Sequence, residues 1–170
     1  QLFKFIQFKL LENQKIKVQA IGQLLIHDRS GLCVTKKDDS IKLSECQGEP
    51  NQMWSNEKKD GNYVISANHH GQYISISDDE PVLTKKFNNS CLFKENASKN
   101  FSGSVFLQNI SSDSCLGNDN EDRYDVSIIS STCKKIDTQD QEQLFKFVDL
   151  TSYEFFKNKF PELERGENIE

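Results

Sequence analysis

Apolar and polar residues alternate in short runs along most of the chain. The apolar members of three such runs are Ile16, Val18 and Ala20; Ile41 and Leu43; and Val126 and Ile128. A period of two residues predicts β-strands, because successive side chains of a strand point to opposite faces. Clusters of Gly, Asp, Asn, Ser and Lys separate the runs and predict turns. The pattern therefore predicts an all-β fold built from short strands.

Three copies of one pattern follow each other along the chain. The triplets at the same place in each copy are Leu32-Cys33-Val34, Gln72-Tyr73-Ile74 and Ser114-Cys115-Leu116, so the copies lie 40 and 42 residues apart. Each copy ends on a triplet with an aromatic residue: Gln52-Met53-Trp54, Cys91-Leu92-Phe93 and Gln143-Leu144-Phe145. Three copies of about 40 residues, each with four short strands, predict a β-trefoil with Trp54, Phe93 and Phe145 in its core.

The trefoil prediction divides the chain into three parts. We place the trefoil at residues 21–149, with repeats of about 22–61, 62–103 and 104–149, after an N-terminal extension over residues 1–20. Residues 150–170 are predicted to form a short C-terminal helix and an acidic tail. Thr151-Ser-Tyr-Glu154 fits a helix capping box, and Tyr153, Phe156 and Phe160 follow helical spacing before Pro161.

The five cysteines do not form a CxxC pair, so the sequence lacks the signature of a zinc ribbon or a thioredoxin-like redox site. Two pairs are close in sequence, Cys33 with Cys46 and Cys115 with Cys133, and a disulfide in either pair would close a short loop. Five buried thiols in a cytosolic protein are the alternative. Cys91 is left over and either stays buried or pairs with another chain.

Four N-x-[ST] sequons lie close together, at Asn88, Asn96, Asn100 and Asn109. They predict N-glycosylation of one face. Together with the possible disulfides they indicate an oxidising setting, either extracellular or luminal.

Composition and motifs exclude several classes of function. With 21 Lys+Arg against 26 Asp+Glu the net charge is −5, which argues against a strongly basic nucleic-acid-binding protein. No apolar run approaches 18 residues, so a membrane span is not expected. Hydrolase, zinc-protease and phosphate-loop motifs are absent from the sequence, so we expect neither an enzyme nor a cofactor.

Two groups of possible metal ligands are given simpler interpretations. His27, His69 and His70 are expected in surface turns, without a metal or catalytic role. The acidic residues Asp119, Glu121, Asp122 and Asp125 lack the spacing of a known calcium loop and are interpreted as a solvated connection.

The first and third copies resemble known families. The segment from Leu32-Cys33-Val34 through Cys46 to Asn51-Gln52-Met53-Trp54 resembles one repeat of the ricin-type lectins, whose hallmark is a Q-x-W triplet. Cys115-Leu116-Gly117, with Cys133 downstream, is similar to the cysteine-rich domain of the mannose-receptor family. The resemblance covers about Gly22 to Asp149. It implies that the cysteine pair of each of these two copies forms a disulfide.

The resemblance also implies where a sugar would bind. In the family, the site needs an acidic residue after the first cysteine, an aromatic residue before the second, and an Asn beside the Gln. The matching residues here are Thr35, Ser44 and Asn51 in the first copy; Ser75 and Thr84 in the second; Gly117, Ser131 and Glu142 in the third. Galactose is therefore not expected to bind in the usual way. Asn51 and Gln52 remain as candidate sugar-binding residues, although Gln52 could simply brace its strand.

Three functions stay open at this point. The one we favour is a non-catalytic, extracellular, lectin-like module with degenerate galactose sites and a modified ligand. A sulfated glycan would need donors such as Lys36, Lys37, Lys85 and Lys86. The alternatives are a protein-binding trefoil, cytokine-like or inhibitor-like, and an accessory domain of a larger toxin or glycosyltransferase. The expected partner is a glycan or an extracellular protein.

Overall fold

The computed structural model describes residues 22–67, 71–118 and 126–150. Over these residues the chain forms twelve β-strands: β1 Gln23–His27, β2 Cys33–Lys37, β3 Ser40–Ser44, β4 Met53–Lys59, β5 Asn62–Ala67, β6 Gln72–Ser77, β7 Glu80–Thr84, β8 Leu92–Ala97, β9 Val105–Asn109, β10 Ser114–Gly117, β11 Ile129–Thr132 and β12 Leu144–Asp149. Short 3-10 turns at Pro50–Gln52 and Asn89–Cys91 precede β4 and β8. The predicted N-terminal extension and C-terminal helix lie outside the described residues.

Six strands close a barrel. β1 pairs with β4, β4 with β5, β5 with β8, β8 with β9, β9 with β12, and β12 returns to β1, always antiparallel. A closed ring pairs each of these strands on both sides. The closure thereby removes the strand edges that an open sheet would expose.

Three hairpins, β2–β3, β6–β7 and β10–β11, cap one end of the barrel and are linked in a cycle. Leu83 N donates to Asp39 O of the first repeat, and Ser130 Oγ donates to Asp79 O of the second. Leu43 N donates to Val126 O of the third, at 2.7 Å. The predicted β-trefoil of three repeats is confirmed, with β1–β4, β5–β8 and β9–β12 as its units.

The core contains equivalent residues from all three repeats. They form three sets: Trp54, Phe93 and Phe145; Leu25, Ile65 and Leu107; and Val34, Ile74 and Leu116. The three aromatic rings are each 0% exposed, so their predicted place in the core is confirmed. Trp54 also donates its Nε1–H to Val34 O at 2.8 Å. Its indole therefore has no face on which a sugar could stack.

Gly22 allows the first strand to start against this core. Its φ is +101°, and a Cβ at this position would lie 2.4 Å from Trp54 O. A side chain would therefore meet the strand backbone as well as an unfavourable backbone conformation. The close approach explains why a glycine precedes β1.

The repeats secure their cap hairpins in two ways. Disulfides join Cys33 to Cys46 and Cys115 to Cys133, the pairs implied by the family resemblance. In the second repeat Tyr73 stands at the first cysteine position and contacts the ring of Phe87 edge-on, at 5.6 Å between centroids. An aromatic pair thus takes the place of a disulfide.

Side chains at the ends of β1 and β9 tie neighbouring repeats together. His27 Nε2 lies 2.8 Å from Glu142 O of the third repeat, and its Nδ1 lies 2.8 Å from Ser30 Oγ. At the matching position Asn109 donates to Ser90 O of the second repeat, at 2.7 Å. His27 is 1% exposed, so its predicted place on the surface is wrong. The error arose because the turn that follows His27 is packed under the third repeat.

The carbonyl of Glu142 selects the tautomer of the neutral His27 ring. Because this carbonyl can only accept, Nε2 carries a proton, and in the neutral ring Nδ1 accepts from Ser30. Burial lowers the pKa of His27 below 6.5, and the positive charge of Arg29 lowers it further; the Glu142 carbonyl, Asp28 and the Glu142 carboxylate act in the opposite direction. The unfolded chain therefore takes up a proton at mildly acidic pH that the folded chain does not.

We expect the free energy of unfolding to fall as the pH drops below about 6.5, by at most about 1.4 kcal/mol per pH unit from this group. His27→Asn supplies the residue that the third repeat uses at the same position and removes the titration. Urea unfolding of both proteins at pH 7, 6 and 5 measures the difference. Parallel stability profiles for the two proteins would contradict the prediction.

Candidate functional site

An open cleft of about 690 Å³ lies on the first repeat. Its polar wall contains Thr35 of β2, Ser44 of β3 and Asn51 of the first 3-10 turn. These are the three positions at which the ricin-type resemblance places a sugar site. Residues 16 apart in sequence come together here because β2 and β3 form a hairpin and the turn at Asn51 folds back against it.

Gln52 braces this cleft from behind. Its Oε1 accepts from Gln47 N at 2.7 Å and Gly48 N at 3.1 Å. Its Nε2 donates to Glu45 O at 2.8 Å and also contacts the hydroxyls of Thr35 and Ser44, at 3.1 and 3.2 Å. The side chain is buried. The polar atoms of Gln52 are therefore already used to hold the strand ends, which is the bracing role that the sequence left open.

The same brace occurs in the third repeat. Gln143 Oε1 accepts from Lys134 N at 2.7 Å, and Nε2 donates to Ser131 Oγ and Thr132 O, each at 2.9 Å. In the second repeat the buried thiol of Cys91 takes this position. The thiol is 0% exposed, as in the buried state that the sequence left open for Cys91.

Asn51 has a different environment from Gln52. Its Nδ2 donates to Lys36 O at 3.4 Å. Its Oδ1 is buried and has no hydrogen-bond partner among the described residues. A buried acceptor without a donor is destabilising, and a ligand reaches this oxygen only if the Asn51 side chain turns toward the cleft. Of the two predicted sugar-binding residues, Asn51 lines the cleft and Gln52 does not.

Charged side chains form the rim of the cleft. Lys37, Lys42 and Glu45 line it, and all three are exposed. Of the four lysines suggested by the sequence, Lys37 lines the cleft. Lys36 contributes its carbonyl to Asn51, whereas Lys85 and Lys86 follow β7 in the second repeat. Lys42 was missed, although its alternation with the buried Ile41 and Leu43 marks it as an outward-facing residue of β3.

Protein atoms fill the equivalent place in the third repeat. A Cβ on Gly117 would lie 2.8 Å from Glu142 O, so the two backbones are in contact. The Glu142 carboxylate pairs with Arg29 at 3.4 Å and with Lys134. The hydrogen bonds that Lys134 donates to Asp140 and Glu142 raise the pKa of Lys134 above its usual value. Burial favours a raised pKa for Asp140, but its hydrogen bonds with Lys134 and Glu142 and the charge of Lys134 together lower it.

At the equivalent place in the second repeat, Ser75 and Thr84 have their own contacts. Ser75 is buried. Thr84 Oγ1 donates to Lys86 O at 3.3 Å and accepts from Lys86 N at 3.2 Å. The hydroxyl that would face a ligand is therefore used within its own turn.

The sequons differ in accessibility. Asn88 and Asn100 are exposed and Asn96 is half-buried. Asn109 is 0% exposed, and its Oδ1 accepts from Ser112 while its Nδ2 donates to Ser90 O. Asn109 is thus the sequon whose side chain is buried and hydrogen-bonded on both amide atoms. Asn109 lies six residues before Cys115, just as His27 lies six residues before Cys33. This shared position is the sequence signal that Asn109 has a structural role.

Other predicted features are settled only in part. His69, His70 and the acidic residues Asp119, Glu121, Asp122 and Asp125 lie outside the described residues. Over residues 22–67, 71–118 and 126–150, no three His, Cys, Asp or Glu side chains are grouped so that they could hold a metal ion. No helix in that part of the chain has the length and apolar character to cross a membrane.

Comparison with known proteins identifies the fold. No family model matches the chain, and no curated protein matches it by sequence. Solved structures do match over 75% of the chain. The designed 3-fold symmetric protein ThreeFoil has a TM-score of 0.62 at 18% identity, with 98% of its own chain covered. SeviL, solved bound to asialo-GM1 saccharide, has a TM-score of 0.63 at 11% identity and 96% coverage.

A third neighbour is an enzyme. The GlcNAcα1-4Gal-releasing endo-β-galactosidase of Clostridium perfringens has a TM-score of 0.62 at 16% identity, but the match covers 32% of that chain. At these identities the three likenesses establish the shared fold. This chain shares the β-trefoil fold with these proteins, while its membership of the ricin-type family has no support from a family model.

The two glutamine braces can be compared directly. We expect Gln52→Ala and Gln143→Ala each to lower the free energy of unfolding by about 2–3 kcal/mol, because each leaves buried backbone groups without partners. Asn51→Ala, next to the brace, should lower it by less than about 1 kcal/mol. Urea midpoints at unchanged m-value measure the differences. Equal losses for Gln52→Ala and Asn51→Ala would show that the brace does not stabilise the fold.

Proposed function

We propose that this chain is a non-catalytic carbohydrate-binding module whose binding site is the first-repeat cleft. The observation that carries the proposal is the meeting of Thr35, Ser44 and Asn51 on one open cleft. At the matching place in the third repeat, Gly117 lies directly against the backbone of Glu142, and in the second repeat the Thr84 hydroxyl is bonded within its own turn. The trefoil neighbour solved with a saccharide supports the same function.

The ligand we propose is a glycan with an anionic group such as sulfate. Thr35 and Ser44 replace the carboxylate and the aromatic ring that galactose would need, and losing them costs about 1.5–3 kcal/mol and about 1 kcal/mol respectively. Lys37 and Lys42 instead bring two exposed positive charges to the cleft. An anion on the sugar would recover part of the lost affinity through these lysines.

We further propose that the module works outside the cell. The two disulfides would persist in an oxidising compartment, and three sequons remain accessible. The bacterial endo-β-galactosidase, in which the matched region is 32% of the chain, favours a second possibility of the same kind. In that case the module is the accessory domain of a larger protein and directs it to a glycan.

A glycan array with paired sulfated and unsulfated sugars tests the ligand. We expect binding to sulfated members and none to plain galactose or lactose. The double variant Lys37→Gln/Lys42→Gln should bind about tenfold more weakly, since two exposed ion pairs contribute about 0.7 kcal/mol each.

The control for this prediction is Lys85→Gln/Lys86→Gln, which removes the same charge outside the cleft. It should bind like the natural chain, and raised salt should weaken binding by both the natural chain and this control. Equal losses in the two double variants would contradict the site. An array without any signal would favour the protein-binding alternative.

Glycosylation can be mapped after expression in a eukaryotic secretory pathway. We expect glycans at Asn88, Asn96 and Asn100 and none at Asn109 in the folded, secreted protein. Peptide mass mapping after enzymatic deglycosylation in ¹⁸O water identifies the sites. Asn109→Gln should reduce secretion, whereas Asn88→Gln should not. Occupied Asn109 in folded protein would contradict the burial of this side chain.

A further inference from the structure

A sugar ring needs an apolar surface as well as hydrogen bonds, because one of its faces carries C–H groups. The platform position of the first repeat is Ser44, which cannot supply one. Its hydroxyl lies 3.2 Å from Gln52 Nε2 and contacts the Thr35 hydroxyl. If the cleft binds a sugar, the apolar surface must come from elsewhere.

Two half-buried apolar residues line the cleft, Leu32 and Val126. Both side chains pack against the main core, and this packing fixes their positions. Leu43 also lines the cleft but is almost completely buried. Leu32 belongs to the first repeat, whereas Val126 belongs to the third. The apolar surface is therefore shared across the seam between two repeats.

The segment that carries Val126 is firmly attached to the first repeat. Leu43 N donates to Val126 O at 2.7 Å, and Lys42 and Ser127 form an antiparallel bridge. Ser127 O also accepts from Asn118 Nδ2 at 2.9 Å. This places Val126 beside Lys42, one of the two lysines on the rim.

We propose that the sugar binds across this seam, with Val126 and Leu32 replacing the missing aromatic platform. This inference rests on the proposed carbohydrate-binding function. It makes Val126 a specificity-determining residue contributed by the third repeat to the site of the first. It also predicts that a bound sugar holds the two repeats together at the Leu43–Val126 hydrogen bond.

The affinity test uses 3′-sulfolactose as the probe and titration calorimetry as the measurement. Val126→Ser should bind it about fivefold more weakly, as expected for loss of a half-buried apolar contact. Ile136→Ser is the matched control, since Ile136 is an exposed apolar residue of the same repeat and does not line the cleft. It should leave the affinity unchanged.

A second measurement needs no variant and is independent of any folding defect in Val126→Ser. Amide hydrogen exchange of the natural chain compares Leu43 N–H, bonded to Val126 O, with Leu83 N–H, bonded to Asp39 O at the equivalent place between the first and second repeats. Saturating 3′-sulfolactose should slow exchange at Leu43 at least threefold more than at Leu83. Equal slowing at both amides would overturn a ligand at the seam.

The outcomes separate the two proposals. If the natural chain binds no 3′-sulfolactose and the glycan array is also silent, the carbohydrate-binding function fails and this inference fails with it. If the probe binds Val126→Ser and the natural chain equally and Leu43 exchanges like Leu83, the function stands and the seam site alone is wrong. Weaker binding by Val126→Ser together with selective protection of Leu43 supports the seam site.

Discussion

Each repeat carries one large aromatic ring that its own four strands cannot cover, and the whole architecture depends on this constraint. Trp54, Phe93 and Phe145 become fully buried only when three repeats close the six-stranded barrel around a shared core. Truncating a ring of this size to Ala typically costs about 3–5 kcal/mol. Positions that face the barrel axis are therefore strongly constrained, and the repeats differ mainly where they leave the core.

Outside the core, the positions that secure the hairpins need a stabilising contact, but different residue types can supply it. The cap hairpin is secured by a disulfide in two repeats and by Tyr73 against Phe87 in the other. The brace behind the hairpin is a glutamine in two repeats and the buried thiol of Cys91 in the second. These exchanges keep the backbone register constant while the side chains change. For this reason the threefold pattern is visible in the spacing of the sequence more clearly than in its residue identities.

Spacing and alternation were enough to predict the strands, the three repeats and the aromatic core, because those features are local or repeat along the chain. Contacts between repeats were not predictable in this way. His27 and Asn109 are both polar residues near turns, where exposure is the usual outcome. Both are buried because a turn of another repeat packs over them. Val126 was likewise identified as a strand residue, but nothing in its local sequence indicates that it lines a cleft on the first repeat.

The joints between repeats differ at the turn beside the open cleft. His27 holds the carbonyl of Glu142, and Asn109 holds the carbonyl of Ser90, so the turns of the third and second repeats are tied down by a side chain from the next repeat. Ala67 occupies the position in the second repeat that matches His27 and Asn109, and the turn at Asn51 is its counterpart of their turns. The methyl group of Ala67 cannot donate a hydrogen bond. Among the described residues, no side chain ties the turn at Asn51 in this way, and this turn lies beside the cleft. The candidate site therefore coincides with the joint at which the repeats differ, since the same turn position accepts a side-chain hydrogen bond in two repeats and lines the cleft in the first.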